Sequence, residues 1–204
     1  RFLSEVNLLL PPPPEQQKIA KILSTWDITI EKQERLITAK ETFKRGLMQI
    51  LLTGKKRFEG FEGEWKEVKV NDVFKMQAGK DIQTDCFSKT KTFTYKYPVY
   101  SNALTNEGLY GYYDHFQFEG GKITVSARGS LGYALAREMP FSAMGRLLIL
   151  TPKVDLNIYF ISEYINHILK IFVESTGVPQ LTAPQFGIYK LRLPSQLEQN
   201  KIAD

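Results

Sequence analysis

The sequence predicts an α+β protein that combines a mostly-β domain containing a few helices with one long helix of coiled-coil type. Between Glu15 and Thr53 there is no proline, and apolar residues recur at steps of three and four, as in an amphipathic helix. After Arg57, short β-branched and aromatic segments alternate with glycines, which is typical of strands and turns. With 43% apolar and 24% charged residues, the 204-residue chain has an ordinary globular composition.

A 13-residue repeat sets the domain boundaries, because residues 8–20 recur as residues 191–203 with 8 identical positions. In each copy a short apolar strand stops at a proline, and a helix follows with glutamate in its first turn. We therefore expect both termini to be cuts through a longer chain. The predicted parts are the last strand and proline-rich turn of a preceding domain (1–14), a long central helix (15–56), a globular domain (57–194) and the start of a second long helix (195–204).

The central helix carries an apolar stripe that predicts a partner helix. Thr29, Gln33 and Lys40 interrupt the stripe, so a helix lying on its own domain is the alternative. We favour a coiled coil and expect homodimerisation through residues 15–52. The predicted interface consists of Ile19, Ile22, Leu23, Trp26, Ile30, Leu36, Ile37, Phe43, Leu47 and Ile50.

Within the globular domain, β-branched and aromatic content predicts strands at 68–76, 92–100, 120–126 and 147–150. Helical spacing of apolar residues predicts a helix over 156–174. Glycines are expected to mark turns at Gly108, Gly111, Gly120, Gly121, Gly129 and Gly132.

The net charge of +5 is unevenly distributed. Residues 15–57 hold 10 Lys and Arg against 5 Asp and Glu, whereas residues 58–190 hold 14 of each. Within the neutral part, residues 120–153 hold five bases and a single acid, Glu138. This pattern favours local docking to an anion over general electrostatic adhesion. The single cysteine, Cys86, and the lack of a membrane-spanning run or signal peptide predict a cytoplasmic protein without a disulfide framework.

Motifs typical of enzymes are missing from the sequence. No glycine precedes Thr53-Gly54-Lys55 at the spacing of a phosphate-binding loop, and no Gly-x-Ser-x-Gly occurs. His115 and His167 lie far apart, and the adjacent Asp114–His115 pair is a poor candidate for acid–base catalysis. We expect no catalytic residue, no metal and no cofactor.

Taken in order, several segments resemble the specificity subunits of type I restriction–modification systems. They are the twice-occurring Leu-Pro-x-x-x-Glu-Gln-x-Lys-Ile-Ala, the long helix, the boundary segment 51–61 followed by Glu64-Trp65, and the strand start 70–74. The first copy departs from the family pattern by having four consecutive prolines, 11–14.

The resemblance implies a non-catalytic subunit in which two target-recognition domains are joined by two long antiparallel helices. Each domain would read half of a split sequence in double-stranded DNA. The helices would set the spacing and dock methyltransferase (modification) subunits and, through them, restriction and translocase subunits. Residues 57–194 would then be the second target-recognition domain.

The strongest DNA-binding candidate is segment 122–133, in which a strand delivers an arginine to a loop of small residues. Arginine bonds guanine O6 and N7 or a phosphate, and glycine lets the backbone approach closely. A structural hairpin with a solvated arginine is the alternative. The full set of candidates is Lys122, Arg128, Gly129, Ser130, Tyr133, Asn102, Ser175, Thr176, Gln180, Arg146 and Lys80. The aromatic run 110–118 fits either groove contact or strand packing.

Two other classes of function stay open. A coiled-coil assembly or scaffold protein with a protein-binding globular domain would self-associate without binding DNA. A free-standing nuclease or transferase would require a carboxylate or cofactor site that the sequence does not display.

Overall fold

The computed structural model describes residues 9–172 and 179–204, and the chain divides into two compact units, Arg1–Leu47 and Met48–Asp204. The predicted α+β class, with a long helix and a β-rich domain, is confirmed. Among the described residues, no helix has the length and apolar character needed to cross a bilayer.

Helix α1 (Pro13–Leu51) has 39 residues and is about 58 Å long. Its first two residues are prolines, which suit this position because the first N–H groups of a helix have no intrahelical acceptor. Past its end Gly54 adopts a φ of +68°, and its N–H donates to the Leu51 carbonyl at 3.1 Å. The final turn, from Met48, belongs to the second unit, where Leu52 joins the core.

The described residues of the second unit form ten strands: β1 (Lys66–Lys69), β2 (Phe74–Ala78), β3 (Phe87–Ser88), β4 (Tyr97–Tyr100), β5 (Leu109–Tyr113), β6 (Lys122–Ser126), β7 (Ala134–Arg137), β8 (Ser142–Ala143), β9 (Leu147–Pro152) and β10 (Lys190–Leu193). Strands β1 and β10 form a two-stranded antiparallel sheet. The central sheet has the order β2-β9-β6-β7, and all its pairs are antiparallel. The third sheet has the order β3-β5-β4-β8, with a parallel β4–β8 pair.

Short helices connect these strands: α2 (Val70–Val73), α3 (Ile158–His167), α4 (Ala183–Gly187) and α5 (Gln196–Ala203). Two 3₁₀ turns lie at Thr84–Cys86 and Thr105–Gly108. Asn157 caps α3, its side-chain oxygen accepting from the N–H groups of Tyr159 and Phe160.

Strand β9 is buried on both faces, which explains its unbroken apolar run. Leu148 and Leu150 belong to the main core, which also contains residues of α3 and α4. Leu147 and Ile149 lie in a second cluster with Phe118 and Phe141. The central sheet is therefore the middle layer of the domain.

The predicted strand over 68–76 is wrong, because the helical turn α2 interrupts it. The Asp72 carboxylate accepts from the Lys69 N–H at 3.0 Å, which stabilises the start of this turn. The predicted strand over 92–100 begins only at Tyr97. Before it, the Thr92 N–H donates to the Tyr95 carbonyl at 3.0 Å and forms a turn.

The predicted helix over 156–174 is also too long, since α3 ends at His167. Beyond it the Phe172 N–H donates to the Tyr189 hydroxyl at 3.0 Å, a tertiary contact that replaces helical bonding. Gly111 does not mark a turn but lies inside β5. A Cβ there would overlap the Phe87 ring and the Ser88 carbonyl, so glycine permits the close approach of β3.

Candidate nucleic-acid interface

Four strand ends meet at one end of the central sheet, which we term the loop end. Strands β2 and β6 finish there, at Ala78 and Ser126, and strands β7 and β9 begin there, at Ala134 and Leu147. Strand β4 of the third sheet finishes beside it, because the Met144 N–H donates to the Tyr100 carbonyl at 2.8 Å. Loops from both sheets therefore project from the loop end.

The loop between β6 and β7 is a tight hairpin closed by its own polar groups. Gly129 and Gly132 have φ of +71° and +81°, backbone conformations that residues other than glycine rarely adopt. The Ser126 hydroxyl donates to the Ser130 carbonyl and accepts from the Tyr133 N–H. Gly129, Ser130 and Tyr133 are consequently exposed on a loop of fixed shape.

Three predicted DNA-binding residues from distant parts of the chain meet at Arg128. The Arg128 Nε donates to Gln180 Oε1 at 3.1 Å, and the Arg128 carbonyl accepts from Asn102 Nδ2 at 3.0 Å. Within the described part of the chain, the two terminal amino groups of Arg128 donate no hydrogen bond. Both amide side chains thus hold the arginine while leaving the outer face of its guanidinium free to bind.

Arg146 and Lys80 lie at the same end. The Arg146 carbonyl accepts from the Ala127 N–H at 2.9 Å, which places it beside the Arg128 loop. The Lys80 N–H donates to the Ala143 carbonyl at 2.8 Å, and Lys80 forms a bridge with Met144. Both side chains are exposed, and no ion pair to another described residue neutralises them. The loop end accordingly carries three cationic side chains.

The structure does not bring every candidate to this place. Lys122 is the first residue of β6 and pairs with Arg137, whereas Ser126 is the last residue of the strand. Lys122 and Ser126 therefore lie about 13 Å apart along β6. Lys122 therefore projects from the opposite end of the sheet. Ser175 and Thr176 lie outside the described residues.

The aromatic run 110–118 is divided between packing and exposure. Tyr113 and Phe118 are buried, Tyr112 is half-buried, and Tyr110, His115 and Phe116 are exposed. The Tyr113 hydroxyl accepts from the Gln83 N–H at 2.7 Å, and burial raises its pKa. Half of the run is therefore part of the hydrophobic packing of the third sheet.

The described residues include one group with metal-ligating side chains, formed by Cys86, Asp114 and His115. It lies where β5 ends, whereas Asn102 follows the opposite end of this sheet. The Asp114 carboxylate already bonds the His115 ring at 2.7 Å. Desolvation by burial raises the pKa of the Cys86 thiol, which disfavours the thiolate that metals bind. The group is a weak candidate for a metal centre.

Sequence reasoning missed the residues that shape the loop end through their backbones. Ala127 donates its N–H to the Arg146 carbonyl and accepts from the Leu181 N–H, both at 2.9 Å. It thereby joins the Arg128 loop to two other segments. No side-chain pattern signals such backbone contacts.

The comparisons with known proteins identify the family and the fold of the chain. Residues 62–204 match the model of the type I restriction modification DNA specificity domain. A Mycoplasma pneumoniae protein named as a type I specificity subunit is 30% identical over 205 residues, which cover all of this chain and 55% of that protein. The specificity subunit of the Methanocaldococcus jannaschii type I restriction enzyme MjaVIII is 24% identical, again covering all of this chain and 55% of that protein. The chain thus spans about half the length of these relatives.

Solved structures show the same fold. The S subunit of a type I restriction–modification system from M. genitalium aligns with a TM-score of 0.71 at 21% identity, covering 94% of this chain and 52% of that one. An S subunit from Thermoanaerobacter tengcongensis aligns with a TM-score of 0.56 at 17% identity, covering 95% and 50%. The family resemblance of the sequence is therefore confirmed, and the chain belongs to the family of type I restriction–modification DNA specificity domains.

Proposed function

We propose that this chain recognises sequence in double-stranded DNA, with the loop end of the central sheet facing the duplex. The observation that carries the proposal is the convergence of Arg128, Asn102 and Gln180, flanked by the exposed Arg146 and Lys80. The names of the relatives as specificity subunits support it. The module itself performs no reaction.

The chemistry of the loop end suits base reading in the major groove. A guanidinium bonds guanine O6 and N7 with two N–H groups, and Asn or Gln side chains pair with adenine N6 and N7. Lysine and arginine at the margin of such a surface bind phosphates and set the position of the protein on the duplex. In this arrangement Arg128 is the main base-reading residue, and Arg146 and Lys80 are phosphate ligands.

Titration of fluorescently labelled duplex DNA at 50 and 200 mM salt tests this proposal. Neutralising about two phosphates, by Arg146 and Lys80, gives a slope of about −1.8 in log K against log salt, so affinity falls by about 12-fold over this range. The charge-reversing pair Lys80→Glu and Arg146→Glu should flatten the slope. An affinity that is the same at both salt concentrations, or no binding at 50 mM salt, would contradict the proposal and favour the scaffold alternative.

We further propose that α1 and the helix begun by α5 dock the methyltransferase subunits of a type I complex, and through them the restriction and translocase subunits. No residue of α1 is buried within the chain, although its stripe contains ten large apolar side chains. A helix that exposes such a stripe requires a partner. In the isolated chain we propose a second copy as that partner, which makes a homodimer.

Substituting Ile37→Glu is expected to convert the dimer into a monomer, because it places a charge in the middle of the apolar stripe. Ile28→Glu is the matched control. Ile28 is exposed to a similar degree, 52% against 56%, but lies nine residues and thus two and a half turns away, on the opposite face of the helix. Light scattering at tens of micromolar gives the mass of each variant. A wild-type chain that is already monomeric, or equal effects of both substitutions, would contradict the dimer.

A further inference from the structure

Residues 89–96, which we term the basic loop, connect β3 to β4. Both strands pair with β5 but lie on opposite sides of it, so the basic loop passes from one side of β5 to the other. Residues 86–106 contain no acidic residue and three lysines, all of them in the basic loop: Lys89, Lys91 and Lys96. The loop is therefore a local cationic region in a domain whose charges otherwise balance.

Hydrogen bonds within the basic loop hold it in a defined shape. The Thr92 N–H donates to the Tyr95 carbonyl at 3.0 Å, and the Tyr95 N–H donates to Thr92 Oγ1 at 3.0 Å, so the two residues close a tight turn. At the start of the loop, the Ser88 hydroxyl donates to the Thr90 carbonyl at 2.8 Å and accepts from the Thr90 N–H at 3.2 Å. Phe93 lies at the tip of the turn, which presents its ring to solvent.

The basic loop adjoins the loop end of the central sheet through Lys89. The Lys89 ammonium donates to the Tyr110 carbonyl at 3.3 Å and lies 3.4 Å from the centre of the Tyr110 ring. The preceding residue, Leu109, pairs with Tyr100, whose carbonyl accepts from the Met144 N–H at the loop end. A ligand that covers the loop end can therefore extend along the third sheet to the basic loop.

Three side chains of the basic loop are available to such a ligand. Phe93 is 99% exposed, a larger fraction than any other aromatic side chain in the described part of the chain. Lys91 and Lys96 are exposed, and neither forms an ion pair with a described residue. A phenyl ring flanked by cations suits a ligand with negative charges and flat apolar faces, and the phosphates and bases of a nucleic acid provide both.

We propose that the basic loop makes a second contact with DNA bound at the loop end, in which Phe93 inserts beside a base at a flanking step while Lys91 and Lys96 bind phosphates. This inference rests on the proposed function. Apolar side chains that insert in this way partly unstack the duplex, and TA steps unstack most easily. The basic loop therefore adds a preference for flexible steps beside the sequence that the loop end reads.

Permanganate oxidation tests the insertion, because this reagent attacks thymines that have lost their stacking. The probe is a duplex with the sequence that the wild-type chain selects, flanked on both sides by alternating A·T pairs, so every flanking step contains a thymine. We expect the bound wild-type chain to make the thymines of one flanking step reactive. Phe93→Ala should abolish this reactivity and weaken binding by about fivefold or more, the loss typical of one stacked base.

Met139→Ala is the matched control for Phe93→Ala. Met139 is 72% exposed and follows β7, whose last residue lies at the opposite end of the central sheet from the loop end. We expect Met139→Ala to change neither thymine reactivity nor affinity. Flanking thymines that stay unreactive in the wild-type complex, or reactivity and affinity that survive Phe93→Ala, would overturn the inference.

The two lysines are tested by the salt dependence of binding. Two further phosphate contacts make four in all, so the wild-type slope becomes about −3.6 instead of the value of about −1.8 expected from Arg146 and Lys80 alone. Combining Lys91→Gln with Lys96→Gln should return the slope to about −1.8. A wild-type slope already near −1.8 would overturn the assignment of these lysines.

The matched control for the lysine pair combines Lys66→Gln with Lys75→Gln, which removes two exposed lysines of β1 and β2 and should leave the slope unchanged. Equal slopes for the two double variants would contradict the inference. Failure of the wild-type chain to bind any duplex would overturn the proposed function together with this inference. Binding that Arg128→Ala weakens and Phe93→Ala leaves intact would overturn this inference alone.

Discussion

Arg128→Ala is expected to weaken the binding of a preferred duplex by about 10- to 100-fold, the loss typical of one bidentate arginine–guanine contact. The substitution removes the guanidinium, whose Nε donates to Gln180 Oε1 and whose terminal amino groups would read the base. The Asn102 bond to the Arg128 backbone does not need the guanidinium, so the loop should keep its shape. Fluorescence anisotropy with duplexes of fixed sequence measures the effect.

Lys122→Ala is the matched control for Arg128→Ala. Both residues are cations associated with β6, but they lie at its opposite ends. We expect Lys122→Ala to change affinity by less than about twofold, because surface substitutions away from a binding face have small effects. Equal losses from both substitutions would mean that the loop end is not the DNA-binding face.

Arg137→Ala is expected to lower the free energy of unfolding by about 3 kcal/mol, the sum expected from a cavity and from buried acceptors left unpaired. Arg137 is 4% exposed, and burial lowers its pKa. The Arg137 Nε donates to Thr124 Oγ1 at 3.0 Å, and one of its amino groups donates to the Glu107 carbonyl at 2.7 Å. The guanidinium also lies 3.5 Å from the centre of the Tyr100 ring. It therefore joins the central sheet to the third sheet.

The same substitution should reduce DNA binding, because Arg137 supports the turn that precedes β5. Asn106 and Glu107 have φ of 49° and 51°, and the Gly108 carbonyl accepts from the Ser101 N–H at 2.7 Å, next to Asn102. Urea denaturation gives the stability, with the exposed Arg192→Ala as control. An Arg137→Ala midpoint equal to that of the control would contradict this role.

How far the sequence predicted the structure depends on the range of the interactions involved. The long helix follows from local periodicity, and its end follows from Gly54, so both could be predicted. The helical turn that interrupts strand 68–76 is capped by the Asp72 carboxylate and bonded to Tyr189, contacts that hydrophobic alternation does not reveal. After the end of α3, the Phe172 N–H bonds to the hydroxyl of Tyr189, which lies 17 residues further along the chain and which helical spacing cannot reveal.

In the candidate site, too, the residue types could be predicted from the sequence, whereas their spatial arrangement could not. Residue chemistry identified Arg128, Asn102 and Gln180 one at a time, since each side chain suits a base edge. Their convergence could not be predicted, because 26 residues separate Asn102 from Arg128 and 52 separate Arg128 from Gln180. Lys122 is close to Arg128 in sequence, but it lies at the opposite end of β6 and is therefore far from these three residues.

The central claim, that the loop end reads DNA sequence, is tested most directly by selecting bound duplexes from a fully randomised library. We predict enrichment of one short sequence by the wild-type chain, and a loss of preference at one or more positions of that sequence with Arg128→Ala. Duplexes that bind without any enrichment, or an enriched sequence that Arg128→Ala leaves unchanged, would contradict the claim.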